Sequence, residues 1–479
     1  MEYEPVIGLE VHAQLLTESK MFCPCSADYA GAAPNTHVCP VCLGMPGVLP
    51  VINQKAVEYT VMTALALNCE IPEFSKFDRK NYPYPDLVKG YQISQYDMPL
   101  SRNGWIEVEV DDRVHRVGII RVHLEEDTAK LLHVTDENGQ SYSLVDVNRS
   151  GVPLMEIVSA PDIRSPQEAR LYLIKLRAIL QALGVSTGNM EEGSFRCDAN
   201  VSIRPKGSNE LGTKTEVKNM NSFRSVQRAL EYEIKRQAAA LERGERIIQE
   251  TRGWVEDRGV TVSQRSKEYA HDYRYFPEPD LPPLVLSREW VGDVRARLPE
   301  LPDAMRDRFV SQYGLGRESA ALLTNSRATA QFFEKTVSLY PQSRTVANWM
   351  QTELFRLLKD GEGDVSGTRL TPEMLAEMLT MIDKGTISSR IAKEVFEEMF
   401  NTGVSAAEIV KEKGLSQISD TAHLEVVVED VIKNNPQAVA DFRAGKGNAL
   451  SFLVGQVMKL TRGQANPGVV NKLLRDRLG

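Results

Sequence analysis

Four prolines fall within seven residues in Phe276-Pro-Glu-Pro-Asp-Leu-Pro-Pro283, and this segment separates two kinds of pattern. Each proline removes a backbone donor and restrains the residue before it, so neither a helix nor a central strand can run through. Before the segment, period-two alternation predicts strands at Val6–Leu15, Trp105–Val110, Val114–His123, Ser141–Asn148, Ala199–Arg204 and Lys214–Lys218. After it, nearly everything has helical spacing. The expected fold class is α+β: a strand-rich unit over residues 1–290, then two all-helical domains, 291–404 and 405–479. The glycine-rich stretch Lys359–Gly367 interrupts the helical region without splitting it.

Two helices inside the strand-rich part carry clear end signals. In Ser165-Pro-Gln-Glu168 the serine can cap, the proline suits the first turn and Glu168 can close a capping box, with Gly184 as the stop. The other runs from Ser222 to about Leu241 and stops at Gly244.

At 479 residues the chain has room for about three domains of roughly 150 residues. With 42% hydrophobic and 25% charged residues it is globular in composition. A net charge of −8 excludes a general nucleic-acid coat protein, which needs excess Lys and Arg to displace phosphate counterions. No run of 18 apolar residues occurs, and the acidic start Met1–Gln14 lacks the basic flank of a signal peptide, so a cytoplasmic protein without membrane contact is expected.

Several predicted strands place metal-ligand types on one face, because alternate residues of a strand point the same way. Glu10 and His12 share a face, as do Arg121, His123 and Glu125; Asp198 and Asn200 repeat the pattern, and Lys214, Glu216 and Lys218 follow after a turn. Carboxylates with one imidazole suit Mg²⁺ or Mn²⁺ holding substrate phosphates, and nearby lysines suit a transferred phosphoryl group. The plain alternative is a solvated sheet face. Neither a P-loop nor a strand-linked GxGxxG is present, so any ATP site has another architecture, and the contexts of the cysteines show no glutaminase signature.

Four of the six cysteines crowd together as Cys23-Pro-Cys25 and Cys39-Pro-Val-Cys42. Two close pairs of thiolates match a tetrahedral structural Zn²⁺ site in a reducing compartment, where disulfides do not persist. Cys69 and Cys197 stand apart and read as buried or incidental. From Asp441 to Gly479, seven Lys or Arg (Arg443, Lys446, Lys459, Arg462, Lys472, Arg475, Arg477) oppose two acids, a surface that could follow an RNA backbone or be only a solvated helical face.

These residues resemble the GatB/GatE family of tRNA-amidotransferase B subunits. The resemblance runs through nearly the whole chain: Val6-Ile-Gly-Leu-Glu-Val-His12, residues 47–53, Lys76-Phe-Asp-Arg-Lys-Asn-Tyr82, residues 91–95, His123-Leu-Glu-Glu-Asp127, residues 147–158, residues 191–200, Asp272–Asp280 and residues 452–459. It implies a cradle domain related to glutamine synthetase with a largely antiparallel sheet, a helical domain and a tRNA-supporting tail. It also implies a reaction: ATP phosphorylates the side-chain carboxylate of Glu on tRNA(Gln) or Asp on tRNA(Asn), and ammonia displaces the phosphate. On this resemblance Mg²⁺ falls to Glu10, His12 and Glu125, with Asp198 and Glu216 as further ligands. Arg196, Lys214 and Lys218 would contact the cofactor. Lys80 is a candidate for the ammonia path or acyl-phosphate pocket, against a surface salt bridge. The implied partners are an amidase-type glutaminase, the family's A subunit, and a small C subunit that clasps it. Asn148–Leu154 resembles a turn near the first acceptor base pair. A noncatalytic zinc-containing tRNA-binding scaffold is the alternative.

Overall fold

The computed structural model describes every residue except 1, 112, 265–272, 359–364, 366, 416–420, 444–445, 462–464 and 466. Arg462 of the basic tail, Asp272 and most of Lys359–Gly367 thus lie outside the described residues. The chain forms two compact units, Met1–Leu301 and Pro302–Gly479.

In chain order the first unit holds β1 (Tyr3–Gln14), α1 (Gln54–Ala66), β2 (Phe74–Ser75), β3 (Asp78–Asn81), β4 (Tyr91–Ser94), β5 (Ser101–Val110) and β6 (Arg113–Glu126). There follow β7 (Lys130–Thr135), β8 (Ser141–Asp146), β9 (Pro153–Ser159), α2 (Pro166–Leu183), β10 (Phe195–Pro205), β11 (Thr215–Lys218) and α3 (Phe223–Glu242). The unit closes with β12 (Thr251–Val255), β13 (Val260–Ser263), β14 (Phe276–Pro277), β15 (Leu284–Val285) and α4 (Arg288–Ala296).

Eight strands form one sheet in the order β13-β12-β11-β10-β1-β9-β6-β5. Every pair is antiparallel except the parallel β11–β12. Alternation gives the sheet two unlike faces. Ile7, Leu9, Val11 and Ala13 of β1 are buried in a core shared with α1, α2 and α3, while Glu10, His12 and Gln14 point the other way. Because β1 is central, its polar residues have strands on both sides.

The helix signals correspond to α2 and α3, with one difference. Ser165 caps by accepting the Glu168 amide, and Gly184 ends α2 in the left-handed region, but the Glu168 carboxylate accepts the Arg164 amide at 2.7 Å instead of returning to Ser165. It is buried and also faces His115 of β6, which pulls it off the reciprocal position. Gly184-Val-Ser-Thr-Gly188 spells GxSxG, yet it follows a helix and carries a buried Ser186, so it is not an exposed strand-to-helix nucleophile elbow. The proline segment contributes only the two-residue strands β14 and β15, which pair with β3 and β2 outside the large sheet. Strand β9, which sequence periodicity misses, lies between β1 and β6.

The described residues of the second unit form helices and connecting turns. Its apolar side chains gather in two clusters, one spanning Phe309 to Val410 and the other Leu424 to Leu478. No described helix is long and apolar enough to cross a membrane.

Candidate active site

The site grows from register. His12 lies opposite Glu156 in the β1–β9 pair, and Glu156 lies opposite His123 in the β9–β6 pair, so three side chains form a row across three strands. His12 Nε2 is 3.4 Å from Glu156 Oε2 and 3.4 Å from Glu125 Oε1, while His123 Nε2 is 3.5 Å from Glu156 Oε2. Glu125 also accepts the Ser94 hydroxyl at 3.3 Å. All but His12 are buried.

Burial and charge drive the two histidines apart. Burial opposes a proton on His12, but its hydrogen bonds to Glu125 and Glu156 outweigh this and push its pKa up to about 10. For His123 burial prevails over the attraction of Glu156, and the pKa falls to about 4. Despite burial, both glutamates are held below the usual carboxylate range, Glu125 foremost by its hydrogen bond from His12 and Glu156 by the imidazoles of His123 and His12 that flank it. At neutral pH the row therefore holds one imidazolium, one neutral imidazole and two carboxylates.

A second group lies on the other side of β1. Glu10 faces Asp198 in register and accepts the Asn200 amide at 2.8 Å. Lys218 bridges Asp198 and Glu216, 2.9 Å from the latter, and Thr251 donates to Glu216 at 2.7 Å. Burial raises the Glu10 pKa, and repulsion from Glu156 and Glu216 adds to it. Arg196, opposite His12, donates to Asp127 at 3.1 Å. Lys214 is exposed and precedes β11. Lys80 on β3 has its ammonium 5.0 Å from the Tyr273 ring centre and 5.6 Å from that of Tyr82; burial opposes its charge, and the fields of Glu125 and Glu156 preserve it.

The cysteine quartet is assembled as well. One sulfur from each of Cys23, Cys25, Cys39 and Cys42 lies within 4.8 Å of the other three. The Cys39 amide donates to Cys42 Sγ at 3.1 Å. A hydrogen bond from Cys23, aided by that amide, holds the Cys42 thiol down at about 4 against the cost of burial, whereas burial pushes Cys25 up to about 11. Four soft donors converging in this way fit a tetrahedral Zn²⁺.

A family model described as the GatB/GatE catalytic domain matches residues 5–292, and one described as the GatB domain matches residues 331–478. The chain belongs to the GatB/GatE family. A Carboxydothermus hydrogenoformans protein named as the B subunit of aspartyl/glutamyl-tRNA(Asn/Gln) amidotransferase is 61% identical over 477 residues, covering 100% of this chain and 99% of its own. Proteins of the same name from Moorella thermoacetica and Thermomicrobium roseum are 59% and 58% identical over 478 and 479 residues, covering 100% of this chain and 100% and 99% of their own.

Within this GatB/GatE chain, His12, Glu125 and Glu156 each offer a ligand atom within 4.8 Å of the others, a donor set of carboxylate oxygens and one imidazole that fits a hard divalent cation once His12 sheds its proton. Glu10, Asp198 and Glu216 form the neighbouring group and are not part of that trio. Glu156 is absent from the residues expected on sequence grounds, though a signal existed: it is a lone acid in the otherwise apolar run Val152–Val158. Asp127 was also missed. Buried and held low by Arg196 and Arg149 against desolvation, it accepts from Gln14 at 2.7 Å and anchors the edge of the site.

Proposed function

We propose that this chain is the B subunit of a glutamine-hydrolysing aspartyl/glutamyl-tRNA(Asn/Gln) amidotransferase. It phosphorylates the side-chain carboxylate of Glu-tRNA(Gln) or Asp-tRNA(Asn) with ATP, and ammonia then attacks the acyl phosphate, forming the C–N bond and releasing phosphate. The observation that carries this reading is the His12–Glu156–His123 row with Glu125, in a chain matching relatives of that name from end to end.

The carboxylate oxygen is a poor leaving group, and phosphorylation converts it into a good one. Mg²⁺ or Mn²⁺, when bound, would offset the charge of the transferred phosphoryl group. His12, Glu125 and Glu156 would hold it, with Glu10, Asp198 and Glu216 as further ligands directly or through water. Lys218, Arg196 and Lys214 would neutralise the phosphates of ATP. Lys80, a cation kept among tyrosine rings, would serve the ammonia path or the acyl-phosphate pocket. Ammonia would come from an amidase-type glutaminase partner clasped by a small third protein, with the assembly working in the cytoplasm where aminoacyl-tRNA is made. The cysteine quartet would hold a structural Zn²⁺.

The parts would divide the work: the first unit, Met1–Leu301, as the catalytic cradle, the helices around the Phe309–Val410 cluster as a connector, and those around the Leu424–Leu478 cluster as a tRNA support. A noncatalytic scaffold is not favoured, because burying several ionised side chains together costs desolvation energy that scaffolding does not require.

Reconstitution with the glutaminase and the small clasping partner, followed by conversion of Glu-tRNA(Gln) in the presence of ATP and glutamine, tests the reading. No conversion by the wild-type assembly overturns the function. Full conversion by a Glu10→Ala, Glu125→Ala double variant overturns the site.

A further inference from the structure

The loop carrying the cysteines is fastened to a distant part of the chain. Asn35 donates its amide to Asp146 Oδ1 at 3.1 Å and its side-chain amide to the Val145 carbonyl at 3.1 Å, while its Oδ1 accepts the Val147 amide at 2.8 Å. Asn148 accepts the His37 amide at 2.8 Å and donates to the Ala33 carbonyl at 2.8 Å. The Met21 amide reaches the Gly151 carbonyl at 2.6 Å, and the fully buried Lys20 ammonium joins the carbonyls of His37 at 2.8 Å and Val147 at 3.4 Å. Asn35 makes these bonds from a left-handed backbone with φ 60°, a conformation that costs an ordinary L-residue energy. A Cβ placed on Gly151 would lie 3.7 Å from the Cys42 Cβ, so the turn rests directly against a cluster residue.

From the turn the connections run onward to the carboxylates. Gly151 donates to the Asp127 carbonyl at 2.9 Å, and the Asp127 amide returns to Val152 at 2.8 Å. Arg149 holds the carbonyls of Thr128 and Ala129 at 2.9 Å each, with its Nε 3.7 Å from the Asp127 carboxylate. That carboxylate fixes Arg196, which stands opposite His12.

We propose that the cysteine cluster is a metal-dependent staple on the Val147–Val152 turn, and that through this turn it sets Asp127 and the arginines bound to it at the edge of the carboxylate site. Between Pro24 and Val41 no residue is buried, so this stretch depends on such a cross-link for its order. The inference rests on reading the quartet as a zinc site, and the experiment separates the two.

Zinc is first counted by metal analysis of the purified full chain; a metal-free protein overturns the zinc reading and the staple with it. Amide hydrogen exchange is then followed residue by residue before and after zinc is removed by a chelator. The staple predicts about tenfold or faster exchange at Val147 and Gly151, with Leu9 and Ala199 in the central strands unchanged. Unchanged protection at Val147 and Gly151 overturns it, as does uniform loss of protection across the unit. In a second arm, Asn35→Gly removes the stapling side chain while easing the backbone. It should loosen Val147 with zinc content intact; undiminished protection there overturns the proposal as well.

Discussion

Glu156 stands opposite His12 in the β1–β9 register, with its Oε2 3.4 Å from the imidazole Nε2 and a second imidazole, that of His123, 3.5 Å away on its other flank. One carboxylate thus shares two histidines of opposite protonation state. Glu156→Gln removes that charge while keeping the shape. The His12 pKa should fall from about 10 by one unit or more, read by NMR titration, because Glu125 alone remains to hold the proton. Transamidation should drop about 100-fold or more with the fold retained, because a proposed ligand of the divalent cation loses its charge. Wild-type turnover in this variant would remove Glu156 from the site.

His123 makes stability depend on pH in a set direction. Its folded pKa, about 4, lies below the ordinary 6.5, so between those values the unfolded chain binds a proton that the folded chain refuses. Its contribution is complete above pH 6.5 and is lost as pH falls towards 4, a span worth about 3 kcal/mol. His12 has the opposite sign, with stability present below 6.5 and lost as pH rises through about 10. Urea unfolding of the metal-free chain should show wild type losing stability relative to His123→Gln on the acid side. Parallel curves would contradict the assignment.

Gly104 on β5 leaves no room for a side chain. An added Cβ would meet Cys69 Sγ at 2.3 Å and the Leu67 carbonyl oxygen at 2.5 Å, and the latter is backbone that cannot swing aside. Gly104→Ala should destabilise the first unit by about 2 kcal/mol, seen as a lower denaturant midpoint. A variant as stable as wild type would mean that β5 shifts freely.

The basic tail calls for a truncation placed by its core. Ala406, Ile409 and Val410 pack in the cluster that begins at Phe309, so a cut after Leu415 spares that cluster where one after Ser405 would not. Its charge is partly spent: Lys446 pairs with Asp441 at 3.0 Å, and Arg477 pairs with Glu425 and Glu429 at 3.1 and 2.6 Å. Removing residues after Leu415 should weaken tRNA binding about tenfold, flatten its salt dependence and leave turnover at saturating tRNA intact. Unchanged affinity at moderate salt would take the tail out of tRNA binding.

The sequence by itself determined what is local. Alternation put Glu10 and His12, and Arg121, His123 and Glu125, on shared faces; Ser165, Gly184, Ser222 and Gly244 marked the ends of α2 and α3; and the two cysteine pairs announced their cluster by spacing alone. These signals depend on neighbours a few residues apart, where backbone geometry acts directly. Tertiary structure decided the rest. Glu156 joined the site because β9 inserts between β1 and β6, a register set by strand pairing between segments far apart in the chain. Lys218 of β11 is committed to Asp198 because β11 pairs with β10, and Arg196 of β10 reaches Asp127 from its place beside β1. The two histidines, alike in the sequence, differ in charge because desolvation and the count of adjacent carboxylates act through space, and neither is written in the order of residues.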